Sequence, residues 1–457
     1  MNRNHWLPCV VSLSVILAAC HCRAARVAAG VVGTGTPTSC TEAALVSALT
    51  GGGVITFNCG PNPHSITFTA RRQINANTSI DGAGKITFDG GGQTGFFDLF
   101  TAGRVLTLTG MTLTNGGNPS SGSVGIAIYV STGSTLVVAN STFSQNTRGV
   151  INVATTSAVV TVTHSTFISN NVGAGLGAAI YNTGKVFISD SVFTGNTTAS
   201  SQVGGAIYNV GGVTKSAVSI TRSSFNQNGG GYGGAITNYG VMTITQSTLT
   251  QNGATFNGGG GGGAILSGGG AELLLVNTTF SGNTNQNNNN GAALYVDGTV
   301  ATGGRATLVN VTMADNIGGT GQLHVNNHGV VELKNTLIVG AACTKTATTA
   351  TLTDSGGNLA FNSTNCPGTN ADPQLGPLQD NGGPTFTRAI SATSPARDQG
   401  TNTAAPPSTN AEWFVHKMQL ATSARLSTPP CRSSPALAQP PCAWGPAANC
   451  SCSLAQI

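Results

Sequence analysis

"VFISDSVFTGNTTASSQVGGAIYN", Val186 to Asn209, is 24 residues long and reads as one unit of a repeat. Val186 and Ile188 alternate with other residues at a period of two, which marks a strand rather than a helix. The piece "SVFTGN" at Ser191 recurs as "STFSQN" at Ser141, "STFISN" at Ser165, "SSFNQN" at Ser223, "STLTQN" at Ser247, "TTFSGN" at Thr278 and "VTMADN" at Val311. Its third letter falls at Phe143, Phe167, Phe193, Phe225, Leu249, Phe280, Met313 and, in a weaker copy, Leu337, with gaps of 24, 26, 32, 24, 31, 33 and 24. A base period near 24 therefore carries loop insertions, several of them glycine-rich, such as "GGGYGG" at Gly229.

The closing letters "GGAIYN" recur too, as "GAAIYN" at Gly177, "GGAITN" at Gly233, "GGAILS" at Gly262 and "GAALYV" at Gly291. They supply an apolar column at Ile128, Ile180, Ile207, Ile236, Ile265 and Leu294. Seven and five residues before the Phe column stand Leu136 and Val138, Val160 and Val162, Val218 and Ile220, Met242 and Ile244, Leu273 and Leu275. Three short strands per period predict an all-β fold, a parallel β-helix of roughly ten coils. Phe143, Phe167, Phe193, Phe225 and Phe280 are then a core stack. Asn146, Asn170, Asn196, Asn228, Asn252, Asn283 and Asn316, one per coil at a bend, form an Asn ladder whose amides donate and accept between coils.

Composition agrees. Glycine is 64 of 457 residues and charged residues only 7%, which argues against a helix-rich enzyme, while 39% apolar residues and a net charge of +5 argue against disorder. Lys and Arg are scattered, so no nucleic-acid footprint is present. The apolar run Trp6 to Ala19 reads as a signal peptide, residues 1–29, and is too short to span a bilayer. Cleavage before Gly30 follows the small-residue rule, and a lipid anchor at Cys20, in "LAAC", is the alternative. The protein is thus expected to be secreted or at the cell surface, with Cys40 and Cys59, and Cys343 and Cys366, as candidate disulfides. "SCTEAALVSALTGGG", Ser39 to Gly53, reads as an N-terminal capping helix over Ala43 to Leu49, with Ser39 and Glu42 as its capping box. The cap takes in residues 30–60 and the coils 61–366.

The two motifs resemble the GGAI and FxxN repeats of polymorphic outer membrane proteins and, more broadly, bacterial right-handed parallel β-helix surface proteins, over roughly Ser39 to Asn402. "ADPQLGPLQDNGGPTFTRAISATSPARDQG", Ala371 to Gly400, resembles the segment that ends the β-helix in choice-of-anchor Q proteins; residues 367–402 are assigned to it. It departs from that family at Phe386, Arg388 and "ARDQG". The resemblance implies an exported, surface-associated, adhesin-like or structural protein whose partner is a glycan or a cell-surface protein.

Parallel β-helices also host polysaccharide-degrading enzymes, so catalysis is weighed from residues. Glycoside hydrolysis typically needs paired carboxylates. With 14 acidic residues in all and no "DD", "NTD" or "GHD" string, no catalytic residues and no cofactor are assigned. Three residues before the Phe column stand Asn140, His164, Asp190, Arg222, Gln246, Asn277, Asn310 and Lys334. His164, Asp190 and Arg222 are a possible surface strip for a ligand, against the plainer reading of a solvated face. His324 and His328 in "HVNNH" would stand on one face of a strand about 13 Å apart, too far for one metal, and none is assigned.

From Ser408 to Pro429, "STNAEWFVHKMQLATSARLSTP" breaks from everything before it. One permitted coding string for it, read from its third base, spells "DQRGVVCPQDATCDIGAFEYT", which closely resembles the usual continuation of choice-of-anchor Q segments. Residues 403–457 are therefore expected to be a frameshifted, disordered tail. Cys431, Cys442, Cys450 and Cys452 in a small disulfide knot are the alternative. The nucleotide sequence decides between them: codons 408–429 must spell that motif in the shifted frame.

Overall fold

The structure is a computed structural model that describes residues 28–117, 127–212, 214–255, 261–286, 291–298 and 303–401. Residues 1–27 of the signal segment, with Cys20, and the tail lie outside the described residues, whereas the first strand begins at Ala28, two residues before the expected cleavage. Nearly every element is a short strand in parallel register, grouped in sheets of 23, 11 and 6 strands. Eleven strands at a spacing of about 4.8 Å make a column about 50 Å long.

Six of the coils hold four strands, one more than the sequence period suggests. In one coil they are Lys185–Ser189, Val192–Thr194, Thr197–Thr198 and Ile207–Asn209. The first two belong to the 23-stranded sheet and meet at a sharp corner; the third is in the 6-stranded and the last in the 11-stranded sheet. In the opening coils the corner is bridged, because Thr78–Asp89 and Val105–Thr114 run through it as single strands.

The corner needs a residue in the left-handed region. Asn140, His164, Asp190, Arg222, Gln246, Asn277 and Asn310 all have φ between 48° and 55°. In the last copy it is Asn335 (φ 49°), not Lys334, because Met313 pairs with Ile338 rather than with Leu337. Leu337 and Ile338 are both apolar, so the letters alone do not separate the two registers. After the corners at Asn140, His164, Asp190, Arg222 and Gln246 a serine takes over the backbone's task. Ser165 Oγ accepts from the Ser141 N–H at 3.1 Å while donating to the Thr163 carbonyl at 2.8 Å, and Ser191, Ser223 and Ser247 repeat the pattern.

The core is one side chain wide. Phe143, Phe167, Phe193 and Phe225 are fully buried and stack nearly parallel, with ring centroids 4.8, 4.8 and 4.6 Å apart. Leu249 and Phe280 continue the column. The Ile column also includes Ile151 and Leu323, whose motifs had diverged too far to be read. Asn146 through Asn316 point inward, at most 5% exposed. In each link an Asn Oδ1 accepts from both the backbone N–H and the Nδ2 of the Asn one coil earlier, while its own Nδ2 reaches the preceding coil's Phe-column carbonyl. Gln322 ends the ladder by accepting from Asn316 Nδ2 at 2.7 Å.

Both ends are tied down. The helix spans Glu42–Leu49, but its N-cap is Thr41, whose side chain accepts from the Ala44 N–H. Ser39 instead closes the preceding turn by accepting from Thr34 N–H and donating to the Thr36 carbonyl. Glu42 is spent elsewhere, on the Thr69 N–H and hydroxyl and on Arg72 at 2.5 Å, so it cannot complete a capping box. Cys40 is bonded to Cys59 and Cys343 to Cys366. Parallel pairing starts with Ala28–Val32 and Gly53–Phe57, inside the segment read as a cap. After the last coil, Leu375–Gln379 and Thr387–Ile390 form an antiparallel hairpin that folds back over the 23-stranded sheet. Thr385 donates to the Gln246 carbonyl at 3.1 Å, and Arg388 reaches Ser281 Oγ at 2.9 Å and Asp315. Arg388 and Thr385 thus clamp the hairpin to the coils.

Candidate functional site

Two outward surfaces offer chemistry. The first is the corner strip. Arg222 donates from Nε and a terminal nitrogen to the two Asp190 carboxylate oxygens at 2.6 and 2.7 Å. Hydrogen bonding to Arg222, outweighing burial, holds the Asp190 carboxyl below its usual range. His164 stands exposed one coil earlier. In the later coils the same column becomes amides: Asn310 donates to Asn277 at 2.9 Å and Asn335 to Asn310 at 3.1 Å.

A lowered carboxyl pKa contributes stability present above the unfolded value and lost as pH falls through the folded one. Asp190→Asn is therefore expected to cost at most about 1 kcal/mol at neutral pH, since the Arg222 side chain is 41% exposed, and to cost nothing once acid has protonated the wild type. Urea melts at pH 7 and pH 3 measure this; a penalty unchanged at pH 3 would show that the ion pair is not its source.

The second surface was not read from the sequence. On the 11-stranded sheet the residue after each inward Ile points outward, and the register aligns Asp98, Tyr129, Asn152, Tyr181, Tyr208, Thr237, Leu266, Tyr295 and His324 in one column. The rings pack on one another: Phe100 on Tyr129 at 5.0 Å, Tyr181 on Tyr208 at 5.5 Å, Tyr208 on Tyr239 at 5.9 Å and Tyr295 on His324 at 5.2 Å. With six tyrosines in the whole chain, this grouping is a strong concentration. The signal was present in the "IYN" letters, but interruption by Asn, Thr and Leu hid the column until the coils were aligned.

The rings of this face are uncharged near neutral pH. Burial, then the neighbouring Tyr208 and Asp297, pushes the Tyr239 phenol up to about 12, and burial with Asp297 raises Tyr295 as well. Burial lowers His324, so the ring is neutral, with Thr344 and Thr320 hydroxyls 2.8 and 3.0 Å from Nδ1. Asp98 is neutralised by Arg71, whose Nε is 2.9 Å from both oxygens. Asp297 accepts from Asn327 at 2.8 Å and Asn326 at 3.2 Å. His328 lies beyond the end of the strand Gly321–Asn327, so the two histidines do not share a strand face.

No curated protein matches the sequence. Among solved structures, the chain is similar to the alginate lyase AlyF-OU02 in complex with G6, at 13% identity and TM-score 0.43, over 77% of this chain and 88% of that one. It is similar to the PL6 family alginate lyase AlyGC at 14% identity and TM-score 0.39, over 83% of this chain and 59% of that one. Tailspike protein 3 of bacteriophage CBA120 is similar at 13% identity and TM-score 0.25, over 71% of this chain and 60% of that one. Residues 99–285 match the family model described as "Right handed beta helix region", and the fold is a right-handed parallel β-helix.

Proposed function

We propose that this is an exported β-helix protein, secreted or at the cell surface, that binds an extended glycan in an adhesin-like role. The observation that carries the reading is the outward aromatic column of the 11-stranded sheet. Aromatic rings offer apolar faces on which the C–H faces of a sugar can pack, and the amides and hydroxyls between them suit its hydroxyl edges. Two disulfides accord with an oxidising compartment.

The test is a glycan array probed with the purified mature chain and with a Tyr181→Ala, Tyr208→Ala double variant. Both rings are only half-buried on the outer face, so the β-sheet circular dichroism should survive. Affinity should fall about tenfold or more, equivalent to about 1.4 kcal/mol. Equal binding by the double variant, or no glycan retained by the wild type, overturns the reading. Release of new reducing or unsaturated ends would make the protein an enzyme instead.

A further inference from the structure

We infer that the N-terminal half of this face holds a subsite for about two sugar residues of a neutral, extended polysaccharide, centred on Asn152. The inference rests on the glycan-binding reading and adds the ligand's charge and position. Three observations carry it.

The rings are arranged as two pairs around one amide. Phe100 and Tyr129 lie on one side of Asn152, Tyr181 and Tyr208 on the other, and the register puts Asn152 directly between Tyr129 and Tyr181. Tyr129 to Tyr181 spans two strand spacings, about 9.6 Å, comparable with an extended disaccharide. Phe100 is 45% exposed although nothing in the core needs it there. By contrast Tyr295 and His324, farther along, are 4% and 1% exposed and closed to a chain of sugars.

The Asn152 Oδ1 is buried yet has no hydrogen-bond partner among the described residues. An unpaired buried acceptor is costly, and the fold does not require an amide here, since Tyr and Thr occupy the same position in other coils. Asn152 as a residue is only half-buried, so a turn of its side-chain amide would present Oδ1 to a hydroxyl of a sugar lying across the two ring pairs.

The charge pattern selects against acidic sugars. No lysine or arginine stands in the outward column, and the Asp98 next to Tyr129 is already held by both of its oxygens to Arg71. A uronate carboxylate brought to this platform would lose its hydration without gaining a free cation in the column. Hydroxyl groups carry no such cost.

The experiment is titration calorimetry of the mature protein with neutral hexasaccharides (cello-, xylo- and manno-oligosaccharides) and with oligogalacturonate and oligoalginate, at low and high salt. Binding of a neutral oligosaccharide, insensitive to salt, is expected. Asn152→Leu and Phe100→Ala should each weaken it about tenfold, and Phe187→Ala, which removes an exposed ring from the 23-stranded sheet, should leave it unchanged. Phe100→Ala removes an exposed ring and keeps the test valid if Asn152→Leu folds poorly. Salt-sensitive binding of the polyuronates alone overturns this inference while leaving the glycan-binding reading intact. Neutral binding that neither variant weakens moves the subsite away from Asn152 and overturns it too. Binding of no glycan at all removes both readings.

Discussion

Replacing Phe193 by Asp is expected to destabilise the protein by more than about 4 kcal/mol, enough to break the solenoid at that coil. The ring lies between Phe167 and Phe225 at centroid distances of 4.8 and 4.6 Å, with interplanar angles of 4° to each, and none of it is exposed. A carboxylate there meets only apolar neighbours above and below, and a core one side chain wide has no second layer from which a partner could come. Removing the ring also leaves a void that the two backbone-tethered coils cannot close. Because each coil contacts only its neighbours, the damage should split the unfolding into two transitions rather than shift one. Phe193→Leu is the control, expected to cost about 1–2 kcal/mol, since Leu249 already occupies this column. Chemical melts followed by far-ultraviolet circular dichroism measure both; an Asp variant within about 1 kcal/mol of wild type would mean that the column does not carry the core.

Asn228→Ala should cost about 3–5 kcal/mol, a large effect for a residue that touches no ligand. Its Oδ1 accepts from the Asn196 N–H at 3.0 Å and the Asn196 Nδ2 at 2.9 Å, and its Nδ2 donates to the Phe193 carbonyl and to Asn252 Oδ1, each at 2.9 Å. Alanine strands these groups in a site that is 1% exposed, at about 1–3 kcal/mol for each group left unsatisfied. Aspartate does not rescue it, because a carboxylate keeps the acceptor but loses the donor that the Phe193 carbonyl needs. Amide exchange gives a site-specific readout: the Asn196 N–H should lose protection while the Thr194 N–H, within the neighbouring strand, loses less. Unchanged protection at Asn196 would show that the ladder bond is dispensable.

The outward column shows where reading the letters stops. Tyr181 and Tyr208 sit in motifs that announce themselves, yet nothing in "IYN" says that the Tyr of one coil lies against the Tyr of the next. Insertions make the spacing of the motif copies uneven, and only paired backbones align Tyr129 with Asn152 and Tyr181. The strip of His164, Asp190 and Arg222 shows the converse. Their proximity follows from counting back from the Phe column, but their backbone conformation does not: each occupies a left-handed corner, which the sequence signals only through the asparagines in equivalent copies.

What the sequence by itself determined is the solenoid, because a period-two pattern repeated once per coil has no other way to bury its apolar columns than by stacking on its own copies. Pairing of Cys40 with Cys59 and of Cys343 with Cys366 was legible too, because each couple flanks one short terminal segment of a chain whose start reads as an export signal. Tertiary structure alone decided three things: Thr41 rather than Ser39 as the helix cap, Asn335 rather than Lys334 at the last corner, and the gathering of tyrosines on one face. Each depends on which backbone group faces which across a coil, a relation between residues about two dozen or more positions apart that local spacing does not encode.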